Sequence, residues 1–338
     1  MNRLIRPVAI SVLAMTLASG AGASTVPGAE SGDTYNRLQR HSTQAEAEHG
    51  WPDQPGLVTH TVSPDVADPS VRRYLRDNIV AFRRDRVQPD APLFLYLVGT
   101  GGAPDNGKLI AATAAAQGYR VVDLMYDDMP ATAQACDHDP DPACAARFRQ
   151  KRTFGDNVTD DIADQPQESV VRRLVALLGY LDHRYPKEGW GGYLRSGAVD
   201  WGRVAVSGHS QGAGIAAFIA KRFAVNRVVL FSSPWDYYHV DQGGHDARVS
   251  APWLSAPSAT PADRWYGAYH AREPQAQMIA QAYDRLKIPS GHVRVFTLAP
   301  KGSHSEHGSV SGDAGTPRLS DGSPAYLPEW QFLIGSAG

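Results

Sequence analysis

The chain has 338 residues, 42% hydrophobic and 20% charged, enough apolar side chains for a packed core and too many for a wholly disordered chain. With 33 Lys and Arg against 35 Asp and Glu, the formal charge of −2 offers no general field for nucleic acid or an anionic membrane, and neither is expected as a partner. Two cysteines are too few for a disulfide-rich scaffold or a four-cysteine zinc site.

Residues 1–23 have the anatomy of a secretory signal: Arg3 and Arg6 at the front, an apolar run from Val8 to Leu17, and small Ala21 and Ala23 at the positions that precede a cut. The apolar run is about ten residues, half of what a membrane span needs. Cleavage after Ala23 and a periplasmic or extracellular location are therefore expected, and no later stretch is long and apolar enough to form a transmembrane segment. In an oxidising compartment Cys136 and Cys144, in the Pro- and Asp-rich loop ACDHDPDPAC, are expected to pair as a local staple. A metal or redox pair fits less well, because the spacing is not C-x-x-C.

Residues 24–69, rich in Ser, Gly, Pro and His, predict an irregular lead-in, and the regular domain is expected to cover 70–338. Apolar spacing predicts a helix over 71–82, then an apolar run (92–98) a buried strand ending in glycines. An Ala-rich helix (106–119) and a strand (119–126) follow, then the cysteine loop and a long helix over 167–186. Strand, sharp turn and helix occupy 201–223, with further strands at 225–233, 265–270 and 292–300 and a helix at 274–288. Strands that are continuous apolar runs and alternate with helices predict one α/β domain, a mostly parallel central sheet with helices on both faces.

The pentapeptide Gly208-His209-Ser210-Gln211-Gly212 lies between the strand VAVS and an Ala/Ile/Phe helix, the context in which G-x-S-x-G forms a nucleophile elbow. Ser210 is then the candidate nucleophile, on a strained turn where bulk at 208 or 212 would collide with its neighbours. The structural alternative is a turn serine in a non-catalytic relative of the same fold. In the chain order of this arrangement the base comes last. His307 is favoured, because Gly-Ser-Val after it permits a sharp turn, with His304 as the alternative. His209, the variable residue of the elbow, is expected to shape the pocket or point away.

The acid should lie between them, at the carboxyl end of a strand. Glu273, three residues beyond 265–270, is favoured, and Asp236, just beyond the preceding strand, is the rival. Oxyanion donors are expected from the backbone N–H of Gln211 and of Thr100 or Gly101 in the loop GTGG. Trp235 and Trp253, in an aromatic-rich stretch between two strands, are candidates for an acyl or aryl pocket. This chemistry calls for neither metal nor organic cofactor.

Taken together, LFLYLVGTGG, YRVVDLMY, the paired cysteines, GHSQGAGIAAFIAK and the tail HGSVSGDAGTPRLSDGSPAYLPEW resemble the α/β-hydrolase superfamily, and within it a group of secreted bacterial serine hydrolases. The likeness covers most of residues 70–335. It implies an eight-stranded hydrolase sheet and acyl hydrolysis by Ser210, His307 and an acid. One departure is GTGG where many lipases carry an HGGG-type loop. Cleavage of small-molecule or polymeric carboxylic esters is the expected function. A peptidase or amidase with the same residues, or a binding protein on a hydrolase scaffold, is the alternative.

Overall fold

In the computed structural model the described residues are 52–338 except 53, 138 and 242, so the signal segment and most of the lead-in lie outside them. One eight-stranded sheet organises the rest. Its strands are β1 (Leu57–Val62), β2 (Asn78–Arg83), β3 (Leu93–Leu97), β4 (Arg120–Leu124), β5 (Val204–His209), β6 (Arg227–Phe231), β7 (Trp265–His270) and β8 (Val293–Phe296). They lie in the order β1-β2-β4-β3-β5-β6-β7-β8. Only β2 runs antiparallel to its two neighbours, and every other pairing is parallel.

The helices that cover the sheet are α1 (Lys108–Ala116), α2 (Cys144–Phe154), α3 (Val170–Arg184), α4 (Gln211–Arg222), α5 (Ala276–Arg285) and α6 (Leu327–Ile334). Leu93, Leu95 and Leu97 of β3 join the apolar cluster under α3, α4 and α5, whereas Phe94 and Tyr96 join the one under α1 and α6. A strand buried on both faces must be apolar at every position, which is why the sequence shows runs rather than alternation. Because β3 and β5 to β8 run in one direction, their carboxyl ends share one edge of the sheet, and the loops leaving that edge can meet.

Two local expectations need correction. Residues 71–82 do not form a helix: 71–77 are irregular and Asn78–Arg83 is β2. Ile79, Val80, Ala81 and Phe82 are all buried, β2 being paired with β1 on one side and β4 on the other. A helix would bury only one stripe of this run, so sheet pairing wins over the apparent spacing. Within the supposed lead-in, β1 and a short helical turn at Pro64–Ala67 are ordered parts of the domain. An additional hairpin, Tyr237–Asp241 with Asp246–Ser250, stands between β6 and β7.

Cys136 and Cys144 form a disulfide. It closes the loop ahead of α2, the helix that carries the buried Arg149 and Arg152 toward the sheet edge.

Candidate active site

Ser210 sits between β5 and α4 with φ 51° and ψ −118°, a left-handed conformation that an ordinary residue adopts only when its surroundings enforce it. The enforcement comes from crowding. A Cβ on Gly212 would lie 2.1 Å from the Leu97 carbonyl oxygen of β3, and one on Gly208 would lie 2.5 Å from the Gly212 carbonyl carbon. Only glycine fits at either position, and the turn lifts Ser210 above the strand ends. Behind it the first N–H groups of α4 have no intrahelical partner and bring a positive partial charge toward the hydroxyl.

His307 comes from a short helix, Glu306–Ser309, after β8; the Ser305 hydroxyl caps that helix by accepting from the Gly308 N–H. Its Nδ1 lies 2.5 Å from Oε2 of Glu273, just beyond β7. The other oxygen of Glu273 accepts from the Ser232 hydroxyl at 3.0 Å and the His270 N–H at 2.8 Å, so the carboxylate is fixed on both sides. Its side chain is fully buried, while that of His307 is 26% exposed. A carboxylate at Nδ1 holds the ring proton there and leaves Nε2 as the basic nitrogen.

His209 does not point away. Its Nε2 donates to the His307 carbonyl at 2.9 Å, with the two rings 4.7 Å apart. Burial first, and the neighbouring His307 ring second, push its pKa from the ordinary 6.5 down to about 3, so it holds the backbone of His307 as a neutral donor.

Ser210 and His307 line a common cavity of about 250 Å³ together with Thr100 and Gly101. The loop after β3 is tightly turned. The Gly102 N–H donates to the Gly99 carbonyl at 2.9 Å and lies 3.0 Å from an Asp128 carboxylate oxygen, and Gly101 has φ +70°. The Gln211 side chain accepts from the N–H and hydroxyl of Thr132, both at 3.1 Å, and donates to the Pro130 carbonyl at 3.0 Å. This anchors the residue whose backbone N–H opens α4.

The remaining candidates do not meet the His307 ring. Both oxygens of Asp236 are paired with the Arg149 guanidinium at 2.6 Å, and one also accepts from Trp253 Nε1 at 2.9 Å, which makes it a buried structural carboxylate. His304 is exposed and lines neither cavity at Ser210. Trp253 is corrected from the pocket to the core: it is buried edge-on against Phe218 and tied to Asp236. Trp235 does border a second, smaller cavity at Ser210, of about 20 Å³. Sequence reasoning did not find Arg149, because a buried arginine inside a polar-looking helix carries no signal until its partner, nearly ninety residues away, is known.

A serine on a left-handed strand-to-helix turn at mid-sheet, an acid after the seventh strand and a histidine after the eighth are joined by the strand order 1-2-4-3-5-6-7-8. The fold is that of an α/β-hydrolase. No protein-family model matches the chain, and no curated protein does. Among solved structures it is similar to an inhibited esterase B from Lactobacillus rhamnosis, with 13% identity, TM-score 0.43, and 79% of this chain and 84% of that one covered. It is also similar to the carboxylesterase EstE1 from a metagenomic library, with 15% identity, TM-score 0.43 and coverage of 82% and 89%. For carboxyl esterase 2 from the mycorrhizal fungus Tuber melanosporum the values are 14%, 0.42, and 88% and 97%. With TM-scores below 0.5 these likenesses carry no weight for the site, whose reading rests on its own geometry.

Proposed function

We propose that the chain is a secreted serine hydrolase that cleaves carboxylic esters through an acyl-enzyme on Ser210. The observation that carries this reading is the 2.5 Å contact between the buried Glu273 and His307, whose ring lines the cavity it shares with Ser210. Nε2 of His307 takes the Ser210 proton as Oγ attacks the ester carbonyl, and the carbonyl π electrons move onto oxygen. The backbone N–H groups of Gln211 and of Thr100 or Gly101 receive that oxyanion. When the tetrahedral intermediate collapses, His307 gives the proton to the departing alkoxide. Water then repeats the sequence in reverse, releasing the acid and restoring Ser210.

Glu273 orients the histidine and stabilises its imidazolium form without itself taking the proton. Export rests on the signal anatomy of residues 1–23 and agrees with the Cys136–Cys144 disulfide, a bond that persists in oxidising compartments. Turnover of p-nitrophenyl acetate by the purified protein tests the reading. It should be abolished in Ser210→Ala and in His307→Ala. Full activity in Ser210→Ala would refute it.

A further inference from the structure

Two cavities meet at Ser210 and Thr100, and they differ more than tenfold in size. The ester-hydrolase reading, on which this inference rests, decides what each would hold. The alkoxide leaves with a proton from His307, so the alcohol half of an ester must lie on the His307 side, and the acyl half on the opposite side of Ser210.

His307 borders the cavity of about 250 Å³. The other cavity at Ser210, about 20 Å³, does not touch His307 and is walled by Gln211, Ala133, Trp235 and the Arg149–Asp236 pair. A single water needs roughly 10–15 Å³ of the same kind of volume. Between its walls the smaller cavity, which is half open to solvent, therefore holds little more than one methyl group.

Its walls resist widening. Arg149 and Asp236 are buried in a doubly hydrogen-bonded pair, and Trp235 stacks on Tyr237 with centroids 6.3 Å apart and planes 21° from parallel.

The larger cavity has further polar partners in its lining. Tyr96 donates its hydroxyl to Ser311 Oγ at 3.0 Å, which leaves the Ser311 proton able to donate elsewhere, and the Asn106 side chain is exposed at the rim. Its volume is somewhat below the roughly 300–1,000 Å³ of pockets for drug-sized ligands. We propose that the site is built for acetyl esters of a small hydroxylated alcohol, the acetyl methyl against Trp235 and the alcohol over Ser311 and Asn106.

The test is kcat/KM for the p-nitrophenyl acetate, butyrate and octanoate series, and for glycerol monoacetate against ethyl acetate, with the wild type and Trp235→Ala. Acetate should exceed butyrate by about tenfold or more, since two surplus methylenes that find no room between the walls are worth about that much. Trp235→Ala should shrink that ratio by about the same factor. Glycerol monoacetate should exceed ethyl acetate.

Equal kcat/KM for acetate and octanoate in the wild type would overturn the acyl assignment, whether or not Trp235→Ala folds. Equal values for the two acetates of different alcohols would overturn the alcohol assignment. Failure to hydrolyse any ester and to react with a fluorophosphonate would instead sink the hydrolase reading itself.

Discussion

Nδ1 of His307 lies 2.5 Å from Oε2 of Glu273, while Asp236, the rival carboxylate beyond β6, is paired with Arg149. The two acids therefore predict opposite phenotypes. Glu273→Gln should keep most of its fold and lose activity, with kcat down by about 10²–10⁴ and KM little changed, because the ring loses the anion that holds its tautomer. Asp236→Asn should cost about 3–5 kcal/mol of stability by stranding the buried Arg149 charge. Urea denaturation and steady-state kinetics on both variants read this out. A folded Asp236→Asn without activity beside an active Glu273→Gln would exchange their roles.

Gly212→Ala is expected to be among the most damaging small substitutions in the chain. The added methyl would meet the Leu97 carbonyl oxygen at 2.1 Å, and that oxygen belongs to the backbone of a central strand that cannot move aside. Loss of more than about 3 kcal/mol, or no soluble protein, is the expected result in a thermal melt. Gly101→Ala tests a different cause, since nothing lies within 4 Å of its added Cβ and only φ +70° opposes it. Its cost should stay near 1–2 kcal/mol.

His209 makes stability depend on pH in acid. Its folded pKa, about 3, lies below the ordinary 6.5, so between those values the unfolded chain holds a proton that the folded one does not. Stability contributed by the neutral His209 is complete above about 6.5 and is lost as pH falls toward 3. In His209→Gln the slope of unfolding free energy against pH should be smaller by about one proton across that window. Equal slopes in the two proteins would show that His209 titrates normally.

Replacing Cys136 and Cys144 by Ser should lower stability by about 2–3 kcal/mol, the entropy of a short loop released in the unfolded chain. The urea midpoint should drop with the slope nearly unchanged. No change in midpoint would mean that the loop ahead of α2 is held by other contacts.

How legible each part was follows from the range of the interaction involved. The Ser210 elbow is a local motif, since strand, glycines and helix are contiguous, and residues 265–270 form the very strand their composition predicts. The choice between Glu273 and Asp236 is not local. It depends on Arg149, which arrives from α2, and on Ser232 and the His270 amide, which fix Glu273 from β6 and β7. Residues 71–82 fail for a related reason: four successive buried positions fit either a strand between two partners or a buried helix until the partners, β1 and β4, are placed. Trp253 reads in the sequence as a pocket candidate in an aromatic-rich stretch; its place in the core is set by its hydrogen bond to the distant Asp236.

Catalysis by this site requires that Ser210 become covalently acylated. Incubation with a fluorophosphonate, followed by proteolysis and mass spectrometry, locates the reactive hydroxyl directly. One adduct is expected, on Ser210 in the peptide spanning the elbow, formed at a rate that falls by at least about 10² in His307→Ala. An unlabelled Ser210, or an adduct on another residue that persists in Ser210→Ala, would contradict it.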